Sequence, residues 1–197
     1  EKDLALSFSK RIHQLLSQKK HSSYLTRSVD RSLQLDERAR LADTLKADLF
    51  ISVHVNASKK STSAGIETYY LSNHRDSVIA KLEKIENKSL SGKELVIDQI
   101  ITDIVVKKTT KSSRKLASLI HGEINKSVIK KFKMKNRGIK PGLFHVLTLA
   151  KRPAILLEVG FLSNPRELKR ISGARFQDAY ARAVVKGIEK YLSSLKK

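Results

Sequence analysis

Two apolar runs of strand length each carry one ionisable residue near the C-terminal end. The first is Phe50-Ile-Ser-Val-His54-Val-Asn56-Ala57. The second is Ile155-Leu-Leu-Glu158-Val-Gly160-Phe161, which leads into Ser163-Asn164-Pro165. A carboxylate buried without a partner is costly, so Glu158 needs a cation, a proton or a chemical task. In open α/β sheets, sites collect outside the carboxyl ends of the strands. A histidine and a glutamate delivered there by two strands suggest a metal ligand and a general base. The competing reading makes His54 a hydrogen-bonded core histidine and Glu158 a structural ion-pair acid. Their matching strand positions favour the chemical reading.

Such strands need partners and cover. Leu4, Phe8, Ile12, Leu15 and Leu16 recur at helical spacing, which predicts an amphipathic helix over about residues 2–18. Ser23 to Thr26 is a short strand candidate. Leu35, Leu41, Ala42 and Leu45 mark a second helix, with Asp36 and Glu37 at the positive end of its dipole. Asp48 to Val55 reads as a fully buried strand, and Gly65-Ile-Glu-Thr-Tyr-Tyr-Leu71 as a second, alternating one. This alternation of strand and helix predicts a single α/β domain over residues 1–197, a mixed open β-sheet flanked by helices on both faces.

Between residues 73 and 110 the pattern loosens. Val78, Leu82 and Ile85 predict a helix, Ser89 to Gly92 break it, and Leu95 to Val106 predict another. The stretch is far longer than an ordinary connection of about 4–6 residues and reads as a helical insertion. Leu116, Leu119, Ile120, Ile124 and Val128 return to helical spacing, and Leu143 to Leu149 is a strand candidate. Pro153 precedes the Glu158 strand. Phe176, Tyr180, Ala183, Val184, Tyr191 and Leu195 predict a long closing helix.

The 197 residues suffice for one domain with a sizeable core. Without cysteine there is neither a disulfide nor a thiolate metal site, so any metal must be held by His and carboxylate. No stretch approaches the roughly 20 apolar residues of a membrane span, and no signal peptide opens the sequence. Glu1 runs directly into a helical pattern, so the domain is expected to be incomplete at its N-terminus, with any export signal upstream. The net charge of +21 implies an anionic partner. Twelve Lys and Arg between Lys107 and Lys140 face a single acid, Glu123. Nucleic acid, anionic lipid and bacterial cell wall all satisfy that charge, as does a plain solvated basic surface. The aromatics that single-strand binders use for stacking are scarce and lie mostly in apolar patterns.

Ala47-Asp-Leu-Phe-Ile-Ser-Val-His-Val-Asn-Ala57 and Leu156-Leu-Glu-Val-Gly-Phe-Leu-Ser-Asn-Pro165 resemble the two long motifs of zinc-dependent N-acetylmuramoyl-L-alanine amidases. Further matches are Leu25-Thr-Arg27 with Asp30, Arg38, Gly65-Ile-Glu-Thr-Tyr-Tyr70 and Asn136-Arg-Gly-Ile-Lys140, in the family's order over essentially the whole chain. The resemblance implies cleavage of the amide between N-acetylmuramic acid and L-alanine in peptidoglycan. It implies Zn2+ held by His54, Glu1 and a further His upstream of residue 1. It places the catalytic glutamate at Glu158. Asn56, Arg137 and His145 are candidates for orienting substrate or neighbouring groups, or for purely structural roles. An enzyme of this kind is expected to be exported to the periplasm or cell envelope.

The 73–110 segment is similar to an insertion in those members of the family that act in cell division. There a helix covers the active site and an acidic side chain occupies the metal's open position. Glu86, in Lys84-Ile-Glu-Asn87, is the candidate here, with Glu83 as second choice; the alternative is that Glu86 is a solvated surface acid among lysines. An activator protein binding the insertion would release the plug. Two other classes compete with the enzyme. One is a non-catalytic wall-binding or scaffolding relative that has lost its metal. The other is a nucleic-acid-binding module, which charge alone suggests and which leaves Glu158 without a reason, so no nucleic-acid partner is expected.

Overall fold

The apolar periodicity at Leu4, Phe8 and Ile12 becomes helix α1 (Lys2–Gln18), with Phe8 and Ile12 buried. A capping box opens α2 (Leu35–Thr44), where the Gln34 backbone N–H donates to Glu37 Oε2 at 2.7 Å. Strands β1 (Phe50–Asn56) and β2 (Ile66–Leu71) follow. Then come α3 (Leu95–Ile124), a π-turn (Asn125–Ile129), β3 (Asn136–Gly142) and α4 (His145–Leu149). Strand β4 (Ala154–Phe161), α5 (Pro165–Ile171) and α6 (Ala174–Ser193) close the chain. This computed structural model describes residues 1–72, 82, 83, 86, 87 and 95–196, the side chains of 95–101 excepted. The helical reading at Val78 and Ile85 and the break from Ser89 to Gly92 lie outside the described residues.

The sheet has the order β1-β4-β2-β3. Strand β1 is parallel to β4, β4 antiparallel to β2, and β2 parallel to β3, so the sheet is open and mixed. All eight residues of β4 are buried, as its apolar sequence, interrupted by Glu158 alone, requires of a central strand. One face packs under α1, α6 and the C-terminal half of α3, through Phe8, Leu116, Ile120, Leu157, Tyr180 and Val184. The other packs under α2, α4 and the earlier part of α3, through Ala42, Val105, Val106, Phe144, Leu147 and Leu156. Helices cover both faces of a single domain.

Four local expectations are corrected. Strand β1 lies at a sheet edge and is only partly buried, because β4, not β1, takes the centre. Ser23 to Thr26 forms no strand; Ser23 instead pairs its hydroxyl with His13 Nδ1 at 2.6 Å. The strand expected at Leu143 to Leu149 is the helix α4, and the sheet strand precedes it. The two helices read at 95–106 and 116–128 are one continuous helix ending in the π-turn, so α3 carries the chain from the 73–110 segment into the core without a break.

Candidate active site

Parallel pairing places His54 directly opposite Glu158. Antiparallel pairing on the other side places Glu67 opposite Glu158. Three ionisable residues therefore lie in a row across neighbouring strands, on the face whose core includes Phe50 and Leu156. The register shifts just beyond, between His54/Asn56 and Glu158/Phe161, where β4 carries an extra residue. Such bulges end pairing and re-aim side chains beside sites.

Glu1, the N-cap of α1, lies against this row. His54 Nδ1 is 2.9 Å from Glu1 Oε1 and 3.3 Å from Glu86 Oε2. Oxygen or nitrogen atoms of Glu1, His54 and Glu86 all fall within 4.8 Å of one another. The other ring nitrogen, Nε2, is 2.9 Å from Ser52 Oγ. As it stands, Nδ1 donates to Glu1; with a cation among these oxygens, Ser52 would accept the Nε2 proton and leave the Nδ1 lone pair for the ion, the arrangement by which an outer partner fixes a metal-binding imidazole. Two hard oxygens and one imidazole nitrogen suit zinc.

Charge at the site is predominantly negative. Glu158 is buried, and both of its carboxylate oxygens lack a hydrogen-bond partner among the described residues. Burial pushes its carboxyl well above the ordinary range, and Glu86, Glu1 and Glu67 push it further. Burial likewise raises the Glu86 carboxyl, helped by Glu1 and opposed by His54 and Arg38. Burial also acts upward on Glu1, but the hydrogen bond and charge of His54 outweigh it and leave Glu1 below its usual range. Arg38, whose guanidinium donates to the Leu33 carbonyl, has its pKa lowered by burial and supplies positive charge facing Glu86 and Glu1. A surplus of carboxylates around one imidazole, with two orphaned buried oxygens beside it, fits a bound cation.

The remaining candidates take different positions. Glu83 does not join the cluster; its Oε1 accepts the Leu143 N–H at 2.6 Å. Asn87 donates from Nδ2 to the Leu143 carbonyl at 3.1 Å and accepts the His145 N–H at 2.9 Å. The turn carrying Glu86 is thereby fastened to the start of α4. Asn56 ends β1, and its carbonyl accepts the Leu162 N–H at 2.8 Å. Arg137 pairs with Glu67 rather than with the His54 cluster, and its guanidinium lies 5.3 Å over the Phe161 ring.

Glu67, Ser52, Tyr69 and Lys140 were not singled out by the sequence reading. Glu67 is buried and accepts from Lys140 Nζ and from the Tyr69 hydroxyl, each at 2.6 Å, and from Arg137. Burial opposes its ionisation, but Lys140, Tyr69 and Arg137 hold its carboxyl below the ordinary range. Arg137 and Lys140 reach one carboxylate because β3 carries a bulge, with Ile66 opposite Asn136 but Thr68 opposite Ile139, and Gly138 at φ 79° makes it possible. The available signal was an acid inside Gly65-Ile-Glu-Thr-Tyr-Tyr70 with two cations in a later motif.

An α/β domain with a His/carboxylate cluster and an unpartnered glutamate at strand ends defines a metallohydrolase type of site. The model of the N-acetylmuramoyl-L-alanine amidase family matches residues 1–190, and the chain belongs to that family. The chain is 28% identical over 200 residues to the N-acetylmuramoyl-L-alanine amidase AmiA of Escherichia coli, covering 97% of this chain and 68% of that protein. Among solved structures, an N-acetylmuramoyl-L-alanine amidase from Clostridium difficile superposes with TM-score 0.75 at 32% identity, covering 98% of this chain and 84% of the other. The CwlD amidase from Clostridioides difficile, solved in complex with the GerS lipoprotein, superposes with TM-score 0.74 at 25% identity, covering 98% and 87%.

Proposed function

We propose that this protein is a zinc-dependent N-acetylmuramoyl-L-alanine amidase of the bacterial envelope, acting in cell separation and held off at rest by Glu86. The carrying observation is the strand register that sets Glu158 beside His54, with Glu1 and Glu86 converging on the same imidazole nitrogen. Glu1 Oε1 and His54 Nδ1 would hold the ion together with the imidazole expected upstream of residue 1. Zinc held there would supply the Lewis acidity that activates the scissile carbonyl and the attacking water. Glu158 accepts a proton from the water that attacks the lactyl carbonyl carbon. As the carbon–nitrogen bond breaks, that proton passes to the departing alanine nitrogen.

Glu86 Oε2, 3.3 Å from His54 Nδ1, would occupy the position that substrate needs. The complex of CwlD with a lipoprotein supports a partner-controlled variant of this reading, with an activator acting on the 73–110 segment. No helix among the described residues is long and apolar enough to cross a membrane, and export to the wall is part of the proposal. The test is incubation of zinc-loaded protein with purified peptidoglycan, scored by new L-alanine amino termini. Their appearance in step with released wall fragments is expected. Cleavage that exposes sugar reducing ends instead of L-alanine would overturn the assignment.

A further inference from the structure

Most acids of the described surface are already taken by cations: Asp30 by Lys2, Asp178 by Arg11, Glu189 by Lys19, Asp36 by Arg40 and Asp43 by Arg152. The run from residue 107 to 135 is different. Its only acid, Glu123, turns inward and is held by Lys190 at 2.5 Å and Lys186 at 3.1 Å, both from α6. Lys107, Lys108, Lys111, Arg114 and Lys115 are all exposed along α3, and none meets a carboxylate among the described residues. Lys126, Lys130, Lys131, Lys133 and Lys135 continue the series, exposed in the same way, through the π-turn and the loop to β3. The result is a track of one sign along α3 and the turn and loop that follow it. Like charges at helical i, i+4 spacing cost a little stability, so this track is mildly unfavourable for the isolated fold and gains from an external counter-charge.

The chemistry of the track narrows the partner. Nine of its ten cations are lysines, point charges suited to mobile phosphates rather than to planar, bidentate recognition. Its single aromatic, Phe132, packs edge-on against Phe176 with centroids 5.0 Å apart, leaving no platform for a nucleobase. Ile104 is the one large apolar side chain exposed on the described part of α3, too little for insertion into a bilayer. We propose that this track docks a linear phosphodiester polymer without bases, of the kind interleaved with peptidoglycan. It would hold the enzyme on its substrate sheet while the active site works. The assignment of the polymer to the wall rests on the amidase reading; the docking chemistry does not.

The experiment measures binding of the 197-residue chain to purified, lipid-free poly(glycerol phosphate) across a salt titration, with single-stranded RNA and phosphatidylglycerol vesicles in parallel. The polymer should bind with log K falling linearly in log salt. Replacing Lys107, Lys111 and Lys115 together by Gln should lower affinity about tenfold or more and reduce the salt slope by about 2–3. Replacing Arg166, Lys169 and Arg175 by Gln removes the same charge from another exposed face and should cost less than about threefold. Equal losses in the two variants would reduce the effect to net charge and overturn the track. RNA or vesicles bound more tightly than the polymer through the same lysines would overturn the partner. Amidase activity is scored separately on zinc-loaded protein that carries the residues upstream of Glu1, so an inactive protein whose track still binds sinks the enzyme reading and leaves the track standing.

Discussion

Glu158 and Glu67 sit side by side on neighbouring strands and meet burial in opposite ways. Glu67 is saturated by Arg137, Lys140 and Tyr69, whereas both oxygens of Glu158 have no hydrogen-bond partner among the described residues. Burying a polar group without a partner costs about 1–3 kcal/mol, so a fold built only for stability would have supplied Glu158 with a donor, as it did Glu67. Glu158→Gln keeps the volume and removes the base. We expect zinc content to survive and amidase turnover to fall roughly 10²-fold or more, measured on purified muropeptides. Near-normal turnover would sink the assignment. His54→Ala should instead lose most bound zinc by elemental analysis, and the activity with it. Undiminished, chelator-resistant zinc in that variant would show the ion to lie elsewhere.

At the scale of elements, the contact between α3 and α6 fixes the floor under the sheet. A Cβ on Gly187 would come within 2.5 Å of Ile120 Cα, backbone against backbone, whereas one on Gly122 would meet nothing within 4 Å. Gly187→Ala should force the helices apart and cost about 1–3 kcal/mol, or roughly 2–4 °C of melting temperature per kcal/mol. Gly122→Ala, in the same pair of helices, should gain up to about 1 kcal/mol from helix propensity. Thermal denaturation of the two variants checks both; equal shifts would mean the close approach is absent. The elements were legible in the sequence where one face is apolar at a fixed period, as in α1 and α6, or where both faces are, as in β4. Strand β3 escaped because an edge strand needs no apolar face and tolerates Pro141 and Gly138. The apolar Leu143 to Leu149 then took its place in the reading, although five of those residues form α4. The site was legible to the extent that one polar residue interrupts an apolar strand, which exposed His54 and Glu158. Glu67 interrupts an alternating strand, where a polar residue ordinarily faces solvent. The bulge that gathers Arg137 and Lys140 onto it has no local signature beyond Gly138.

The whole molecule joins the segment carrying Glu86 to the core through one rigid helix. Helix α3 has 30 residues and spans about 45 Å at 1.5 Å per residue. Its C-terminal half is locked by Leu116, Ile120 and Ile124, while Val105 and Val106 join the cluster against which Leu82 packs. Glu83 and Asn87 are held to the start of α4 by three hydrogen bonds, two made by Asn87 and one by Glu83. Those bonds are what a partner would have to break to withdraw Glu86, and a partner can do so only by binding the released form more tightly. Cutting out residues 76–106 would not isolate this device, because it removes Val105 and Val106 from the core. Single substitutions do. Glu86→Ala deletes the plug and leaves its fastening, whereas Asn87→Ala loosens the fastening and leaves the carboxylate. If the contact to His54 holds a two-state resting form, Glu86→Ala should raise basal amidase activity about 5- to 150-fold, the range of a coupling of about 1–3 kcal/mol. Asn87→Ala should raise it less and remain responsive to added activator. A Glu86→Ala protein that is folded, zinc-loaded and no more active than its parent would end the proposal that Glu86 is the plug.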